Sequence, residues 1–224
     1  MPDPASVKLH YWDFPFWRGE CIRMALFFGE ISFDDERHNN PVELFKAGKL
    51  PFGEMPILEI DGKILSQTHS IANYVSHLAG LQPKNPWLIA KVDECICGCE
   101  DITLTLHDLM TLVANAGGRG VHKLTQKFID PEDGKLHMFM KSLEAIVEEN
   151  GMCGHAIGDS MTIADFAIWL LLNSLEKPPF DNLGTEWIKE RFPGLQGVMM
   201  TVEAEPKVIE WKSQFDYYDA DGVQ

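Results

Sequence analysis

The spacing of apolar residues in the first part of the chain changes from the period of a strand to that of a helix. Residues 7–12, VKLHYW, alternate and are rich in strand-forming residues. Apolar or small residues then recur at helical spacing within residues 19–29, at Ile22, Ala25, Leu26 and Gly29. We therefore expect a strand followed by an amphipathic helix.

Shorter segments separated by turn residues come next. They predict a strand, a short helix and two further strands, in the segments ISFDDERH, PVELFKAG, PILEI and KILSQ. Asp61-Gly62 lies between the last two strands and is typical of a two-residue type I′ hairpin. Another amphipathic helix follows, with apolar residues at Ile71, Tyr74, Val75 and Leu78. The predicted order, β-α-β-α-β-β-α, matches the thioredoxin-like plan.

Beyond residue 80 the pattern is different. Residues 81–87, LQPKNPW, contain two prolines without periodicity, which is typical of a linker. The rest is helical in pattern, and Thr162 and Asp165 have the spacing of a capping box ahead of a buried helix. The predicted fold is an α/β thioredoxin-like domain over 1–80, a linker over 81–87 and an all-α helical bundle over 88–224.

The charge of the chain limits its partners. Its formal net charge of −15 repels phosphate backbones, which argues against nucleic acid, and the lack of basic clusters argues against anionic membrane surfaces. We find neither a secretory signal nor an apolar run long enough to span a bilayer. The sequence therefore favours a cytoplasmic protein.

The cysteines and histidines do not indicate a metal site. The five cysteines are odd in number, and we assign no disulfides because we expect a reducing compartment. CICGC, residues 95–99, lies in a predicted helix, where alternate residues point apart and do not have the spacing of zinc ligands. The eight histidines are scattered, so we expect no metal.

A proline and a polar cluster surround the predicted hairpin. In the thioredoxin-like plan, the proline before the third strand has a cis peptide bond, so Pro56 would turn the backbone of Met55 toward a ligand. Thr68 lies where a helix N-terminus could hold a carboxylate, and Gln67 can add an amide. The segment thus indicates a site for a small peptide. Alternatively, Pro56 only enters a strand, and Thr68 or Ser70 only caps a helix.

The pattern LPFG-x-MPIL-x-IDG…QT-x-x-I resembles the cytosolic glutathione transferases. KLHYWD, with Tyr11, resembles the Tyr-type (sigma, mu and pi) classes, and IGDSMTIADF resembles the family's helical capping motif. The resemblance implies that Met55, Pro56, Gln67 and Thr68 bind glutathione. The segment CEDI, residues 99–102, is also similar to the family. This similarity implies a homodimer in which Asp101 reaches the neighbouring subunit's glutathione site.

The resemblance also assigns the chemistry of the thiol. Tyr11 would donate its phenolic O–H to the glutathione sulfur, which lowers the thiol pKa by stabilising the thiolate. Arg18 resembles the arginine that places positive charge near the sulfur in the sigma and pi classes, although the loop before it is about one residue longer here. The alternatives are a packed tyrosine and an exposed arginine. In the related classes a tryptophan and a lysine of the second helix region contact the glycyl carboxylate. No tryptophan is found here near residues 40–45, and Lys46 and Lys49 are the alternative candidates for the lysine, the other one being solvated.

The second substrate is expected between the two domains. Candidate wall residues follow the first strand or lie on the long helix: Phe14, Phe16, Trp17, Leu104, Asp108 and Met110. Ordinary packing is the alternative for the aromatic residues.

The resemblance implies a detoxifying glutathione transferase that conjugates glutathione, as co-substrate and without a further cofactor, to hydrophobic electrophiles. A prostaglandin-D-synthase-like glutathione-dependent isomerase and a catalytically silent, ligand-binding or crystallin-like relative remain open. A thioredoxin-type oxidoreductase is disfavoured because no C-x-x-C follows the first strand.

Overall fold

A four-stranded mixed sheet forms the first part of the protein. The computed structural model describes residues 4–15, 17–115, 134–175, 184–215 and 218. The strands are β1 (Val7–Trp12), β2 (Asp34–His38), β3 (Ile57–Ile60) and β4 (Lys63–Ser66). They lie in the order β2-β1-β3-β4, with β1 parallel to β2 and antiparallel to β3, and β3 antiparallel to β4.

Three helices connect or follow these strands. They are α1 (Trp17–Phe28), α2 (Val42–Lys46) and α3 (Thr68–Leu78). The predicted order of elements is confirmed, although the second strand begins only at Asp34. Asp61 and Gly62 both have positive φ, at 48° and 77°, as a type I′ turn requires.

The second part of the described chain is helical. Its helices are α4 (Pro86–Asn115), α5 (Lys135–Glu149), α6 (Ile163–Leu175), α7 (Gly184–Arg191), α8 (Pro193–Ala204) and α9 (Pro206–Lys212). The long helix predicted from residue 87 onward is α4. It begins at Pro86, so Pro86 and Trp87 of the predicted linker are helical.

Helix α6 is buried along nearly its whole length, and Asp165 fixes its start. The Asp165 carboxylate accepts hydrogen bonds from the N–H groups of Thr162 and Ala156, each at 2.7 Å. The Thr162 hydroxyl also donates to this carboxylate, at 2.8 Å, instead of accepting from the helix. One half of the predicted capping box is therefore present, and the helix begins directly after Thr162 as expected.

The sheet part and the helical part share one apolar core. Helix α1 packs against α6, and buried side chains from Leu9 of β1 to Trp169 of α6 belong to one continuous cluster. A fully buried leucine or isoleucine in this cluster contributes about 1.5–3 kcal/mol to the stability of the fold. Trp17 adds a polar link, because its Nε1–H donates to Thr103 Oγ1 of α4 at 2.6 Å. None of the helices in the described residues is both long enough and apolar enough to span a membrane.

Candidate active site

A cavity of about 750 Å³ lies between the sheet part and the helices α4, α6 and α9. Phe52, residues 54–56 and residues 66–69 form its wall on the sheet side, and Pro15, Trp17 and Arg18 come from the start of α1 or directly before it. Helix α4 supplies the opposite wall between Ile96 and Met110. The cavity is therefore bounded by both parts of the fold.

The predicted peptide-binding segment lines this cavity. The Met55–Pro56 bond is cis, and both residues are buried in the wall. Strand β4 ends at Ser66, and α3 begins at Thr68. Gln67 joins them with φ 76° and ψ 120°, a conformation that non-glycine residues seldom adopt and that is often found at ligand sites.

Gln67, and neither Thr68 nor Ser70, is the N-cap residue of α3. Its side chain makes no capping hydrogen bond. A helix leaves its first N–H groups without intrahelical partners, so the first turn of α3 presents donors and partial positive charge beside the cavity. Thr68, half-buried in the wall, is placed to add its hydroxyl to these donors.

Tyr11 is buried near this wall. Its side chain is only 2 % exposed, it clusters with Leu50, Met55 and Ile57, and it is not among the described residues that line the cavity. Gly19 allows this packing, because a Cβ there would come within 1.9 Å of the Tyr11 ring. Burial raises the pKa of Tyr11, although the nearby Arg18 and Arg23 lower it in part. The phenol therefore stays protonated and can act as a hydrogen-bond donor.

Arg18 lines the cavity and is already paired. Its guanidinium donates to both carboxylate oxygens of Glu100, with Nε 3.1 Å from Oε2. Both side chains are partly buried, and Glu100 lies in the opposite wall on α4. The pair thus joins the start of α1 to α4, and the Glu100 carboxylate offsets the positive charge of Arg18.

The two candidate lysines do not reach the cavity. Lys46 is exposed and pairs with Glu43 at 3.0 Å, and Lys49 pairs with Glu59 at 3.1 Å. Neither is found among the described residues that line the wall. The structure therefore places no cation from the α2 region at the site.

Only some of the residues predicted to bind the second substrate line the cavity. Trp17, Leu104 and Met110 line the cavity, whereas Phe14 and Asp108 do not, although all of these residues are described. Phe16 lies outside the described residues.

Asp101 is exposed and lines the cavity of its own chain, on the same face of α4 as Leu104. Within the described ranges, no three His, Cys, Asp or Glu side chains come together as metal ligands.

The residues at one end of the cavity were not predicted from the sequence. This end is lined by Trp169, Leu170, Asn173, Ser174, Lys212 and Tyr218. In the sequence, α6 is apolar nearly all round and shows no cavity-facing side. Other missed residues on α4, such as Cys97 and His107, could have been found, because they lie four and three residues from Asp101 and Leu104 on the same helix face.

Both parts of the chain match models of known domains. Residues 7–77 match the N-terminal domain of glutathione S-transferase, and residues 119–214 match its C-terminal domain. Glutathione S-transferase 2 of Caenorhabditis elegans is 31% identical over 152 residues, which are 67% of this chain and 78% of the relative.

Solved structures share the complete fold. A nematode-specific glutathione S-transferase of Caenorhabditis elegans has a TM-score of 0.79 at 26% identity, covering 93% of this chain and 96% of that chain. The monomeric glutathione S-transferase Na-GST-3 of the hookworm Necator americanus has a TM-score of 0.77 at 25% identity, covering 94% and 97%. These neighbours confirm a thioredoxin-like domain followed by an all-α domain. Because models of both domains match and a glutathione S-transferase of Caenorhabditis elegans is 31% identical, the chain belongs to the glutathione S-transferase family.

Proposed function

We propose that this protein is a glutathione transferase that presents the glutathione thiolate to hydrophobic electrophiles. One observation carries the proposal: Met55, Pro56, Gln67 and Thr68 share one wall of a cavity whose other wall is helical. Glutathione is the co-substrate in this proposal, and no further cofactor takes part. We also propose the domain limits 1–80 and 88–224, with a connection at 81–87 whose last two residues already form the start of α4.

The sheet-side wall would hold the peptide. The backbone of Met55 pairs with the extended glutathione chain, as in the addition of a short strand. The N–H groups at the start of α3, with the Thr68 hydroxyl and the Gln67 amide, receive the γ-glutamyl carboxylate. The positive φ at Gln67 supports this role, because it directs the chain from β4 into the helix directly beside the cavity.

Tyr11 would stabilise the thiolate. The glutathione S–H releases its proton to water, and the neutral Tyr11 O–H donates a hydrogen bond to the sulfur anion, which lowers the thiol pKa. The raised pKa of Tyr11 itself supports a donor role, since a phenolate has no proton to donate. The sulfur then attacks the electrophilic carbon, and the leaving group departs with its electron pair. Tyr11 belongs to the same buried apolar cluster as Met55 of this wall, which supports its place near the segment proposed for glutathione.

The helical side would bind the second substrate. Trp17, Leu104 and Met110 provide apolar surface, and Leu104 and Met110 are about half exposed although they are large and apolar. An uncovered apolar surface of this kind in a cavity is suited to an apolar ligand. Detoxification of hydrophobic electrophiles is the corresponding role.

A cytoplasmic homodimer is the proposed setting. All five cysteines are free, as expected in a reducing compartment. Phe45 and Phe52, the second of which lines the cavity, are 64% and 68% exposed, which supports burial against a second copy. Asp101 would then meet the γ-glutamyl ammonium of the partner's site. Sedimentation at several concentrations tests the assembly, and a monomer at all of them would contradict it.

The rate of conjugation of glutathione to 1-chloro-2,4-dinitrobenzene tests the proposed function. We expect a saturable rate that falls about 10- to 100-fold in Tyr11→Phe, because a hydrogen bond to a charged group contributes about 1.5–3 kcal/mol. Tyr74→Phe is the matched control. An unchanged rate in Tyr11→Phe would remove Tyr11 from the mechanism.

The same assay separates the alternatives. Retention on immobilised glutathione without conjugation would favour an isomerase, which product analysis would identify, or a binding protein. Neither retention nor conjugation would indicate a silent relative.

A further inference from the structure

A lysine ammonium lies at the end of the cavity that α6 and α9 form. Lys212, the last residue of α9, is half-buried in the cavity wall. Its Nζ is 5.5 Å from the centre of the Trp169 ring and 5.9 Å from that of Tyr218, and both rings also line the cavity. The charge is therefore held over two aromatic faces.

No carboxylate in the described part of the chain lies within ion-pairing distance of Lys212. Two other cations near it are paired: Arg18 in the same cavity with Glu100, and Lys207, which shares α9 with Lys212, with Glu30. A partly desolvated ammonium keeps three donors, and aromatic faces compensate only part of its lost hydration. Lys212 can therefore bind an anion that enters the cavity.

The two rings are held in place by partly buried hydrogen bonds. Trp169 Nε1–H donates to Glu203 at 3.3 Å, and Tyr218 O–H donates to Glu20 at 2.6 Å. The rings are 6.2 Å apart at an angle of 27°. Because the surroundings of the ammonium are fixed in advance, little side-chain freedom would be lost when an anion binds.

We propose that the second substrate of this enzyme is an electrophile that carries a carboxylate, and that Lys212 binds this carboxylate. The proposal rests on the proposed function. Lys212 belongs to the helical end of the cavity, whereas the segment proposed for glutathione forms the sheet-side wall. The apolar surface between them, which includes Leu104 and Met110, would cover the body of the substrate. A charge-assisted hydrogen bond to Lys212 would then orient its reactive carbon.

A pair of substrates of nearly the same shape, one charged and one neutral, tests this proposal. These are 4-chloro-3,5-dinitrobenzoate and 4-chloro-3,5-dinitrobenzamide; with either, the glutathione sulfur forms the new C–S bond and chloride leaves. Each kcat/KM is divided by the uncatalysed rate constant, which corrects for intrinsic reactivity. We expect the wild type to favour the benzoate, and Lys212→Met to lose about tenfold or more with the benzoate and little with the amide.

Two further variants control for charge and location. Lys212→Arg keeps the charge and should retain most of the preference for the benzoate. Lys207→Met removes a cation of the same helix that lies over the Phe28 ring and outside the cavity wall, and should leave the preference unchanged. Equal losses with both substrates in Lys212→Met, or a raised KM for glutathione with both, would overturn the proposal.

A binding measurement keeps the inference testable if no conjugation is observed. The probes are the unreactive 3,5-dinitrobenzoate and 3,5-dinitrobenzamide, titrated calorimetrically into the wild type and Lys212→Met without glutathione. About tenfold weaker binding of the benzoate alone in the variant would support the anion site even if the proposed function failed. Equal affinities of the two proteins for the benzoate would overturn the site, whatever the activity.

Discussion

Tyr218 donates its phenolic O–H to Glu20 Oε1 over 2.6 Å, although 198 positions separate the two residues in the chain. Glu20 is completely buried in α1 and also accepts from Trp211 Nε1 of α9, at 2.7 Å, and from Arg23, at 3.1 Å. One carboxylate thus joins the first helix of the sheet part to α9 and to a residue of the cavity wall.

Tyr218→Phe should destabilise the protein and loosen the helical end of the cavity. The variant keeps the ring but removes a hydrogen bond to a buried charge, which contributes about 1.5–3 kcal/mol. Urea denaturation should show a loss of this order in the free energy of unfolding. Tyr74→Phe is the control, because Tyr74 is a partly buried tyrosine outside this network. Equal stability of the two variants would show that the bond to Glu20 contributes nothing.

Thr68→Val should weaken the binding of glutathione about tenfold, because it removes a hydroxyl proposed to meet a carboxylate while keeping the shape of the side chain. Calorimetric titration with glutathione measures the change. Ser70→Ala is the control, since Ser70 lies in the same helical turn but is exposed and is not found among the described residues of the wall. If Thr68→Val bound glutathione as tightly as the wild type, the carboxylate would lie elsewhere.

Asp165→Ala should lower the free energy of unfolding by roughly 3 kcal/mol. The substitution leaves the buried N–H groups of Thr162 and Ala156 without their acceptor, and each such group costs about 1–3 kcal/mol. Denaturant unfolding followed by circular dichroism measures the loss. Asp159→Ala, an exposed carboxylate just before the helix, should change stability little. Similar losses in both variants would argue against the capping role.

His10 should make the protein less stable as the pH falls below neutrality. Burial, together with His38 and Lys49, lowers the pKa of His10, although Glu36 and Glu59 raise it in part. The unfolded chain therefore takes up a proton more readily than the folded one. The stability that neutral His10 provides is present above its unfolded pKa of about 6.5 and is lost as the pH falls through this value toward the lowered pKa.

Melting temperatures of the wild type and His10→Gln between pH 5.5 and 8 test this linkage. The decrease in melting temperature toward low pH should be smaller in the variant. His77→Gln, which changes an exposed histidine, should keep the wild-type dependence. A dependence unchanged by His10→Gln would assign the effect to other groups.

Short-range patterns in the sequence predicted the strands and helices and the sheet-side wall of the cavity. Apolar periodicity and Asp61-Gly62 reflect interactions between residues close in sequence, so they predicted the hairpin and the helices. The segment from Met55 to Thr68 is also local, and its resemblance to a family pattern indicated the residues that line the sheet-side wall. Helical spacing from Asp101 and Leu104 also predicts which other residues of α4 lie on the same face.

The tertiary structure alone decided the rest of the cavity. Tyr11 is buried in one cluster with Met55, and Gly19 of α1 leaves room for its ring. Lys49 pairs with Glu59 and is not found among the described residues of the wall. Helix α6 is apolar on nearly every face, so its sequence does not show which side meets the cavity. Buried Glu20 of α1, nearly two hundred positions earlier, binds Trp211 and Tyr218 and so helps to hold Tyr218 and the neighbouring Lys212 at the wall. Such contacts depend on long-range packing, which short-range patterns in the sequence do not encode.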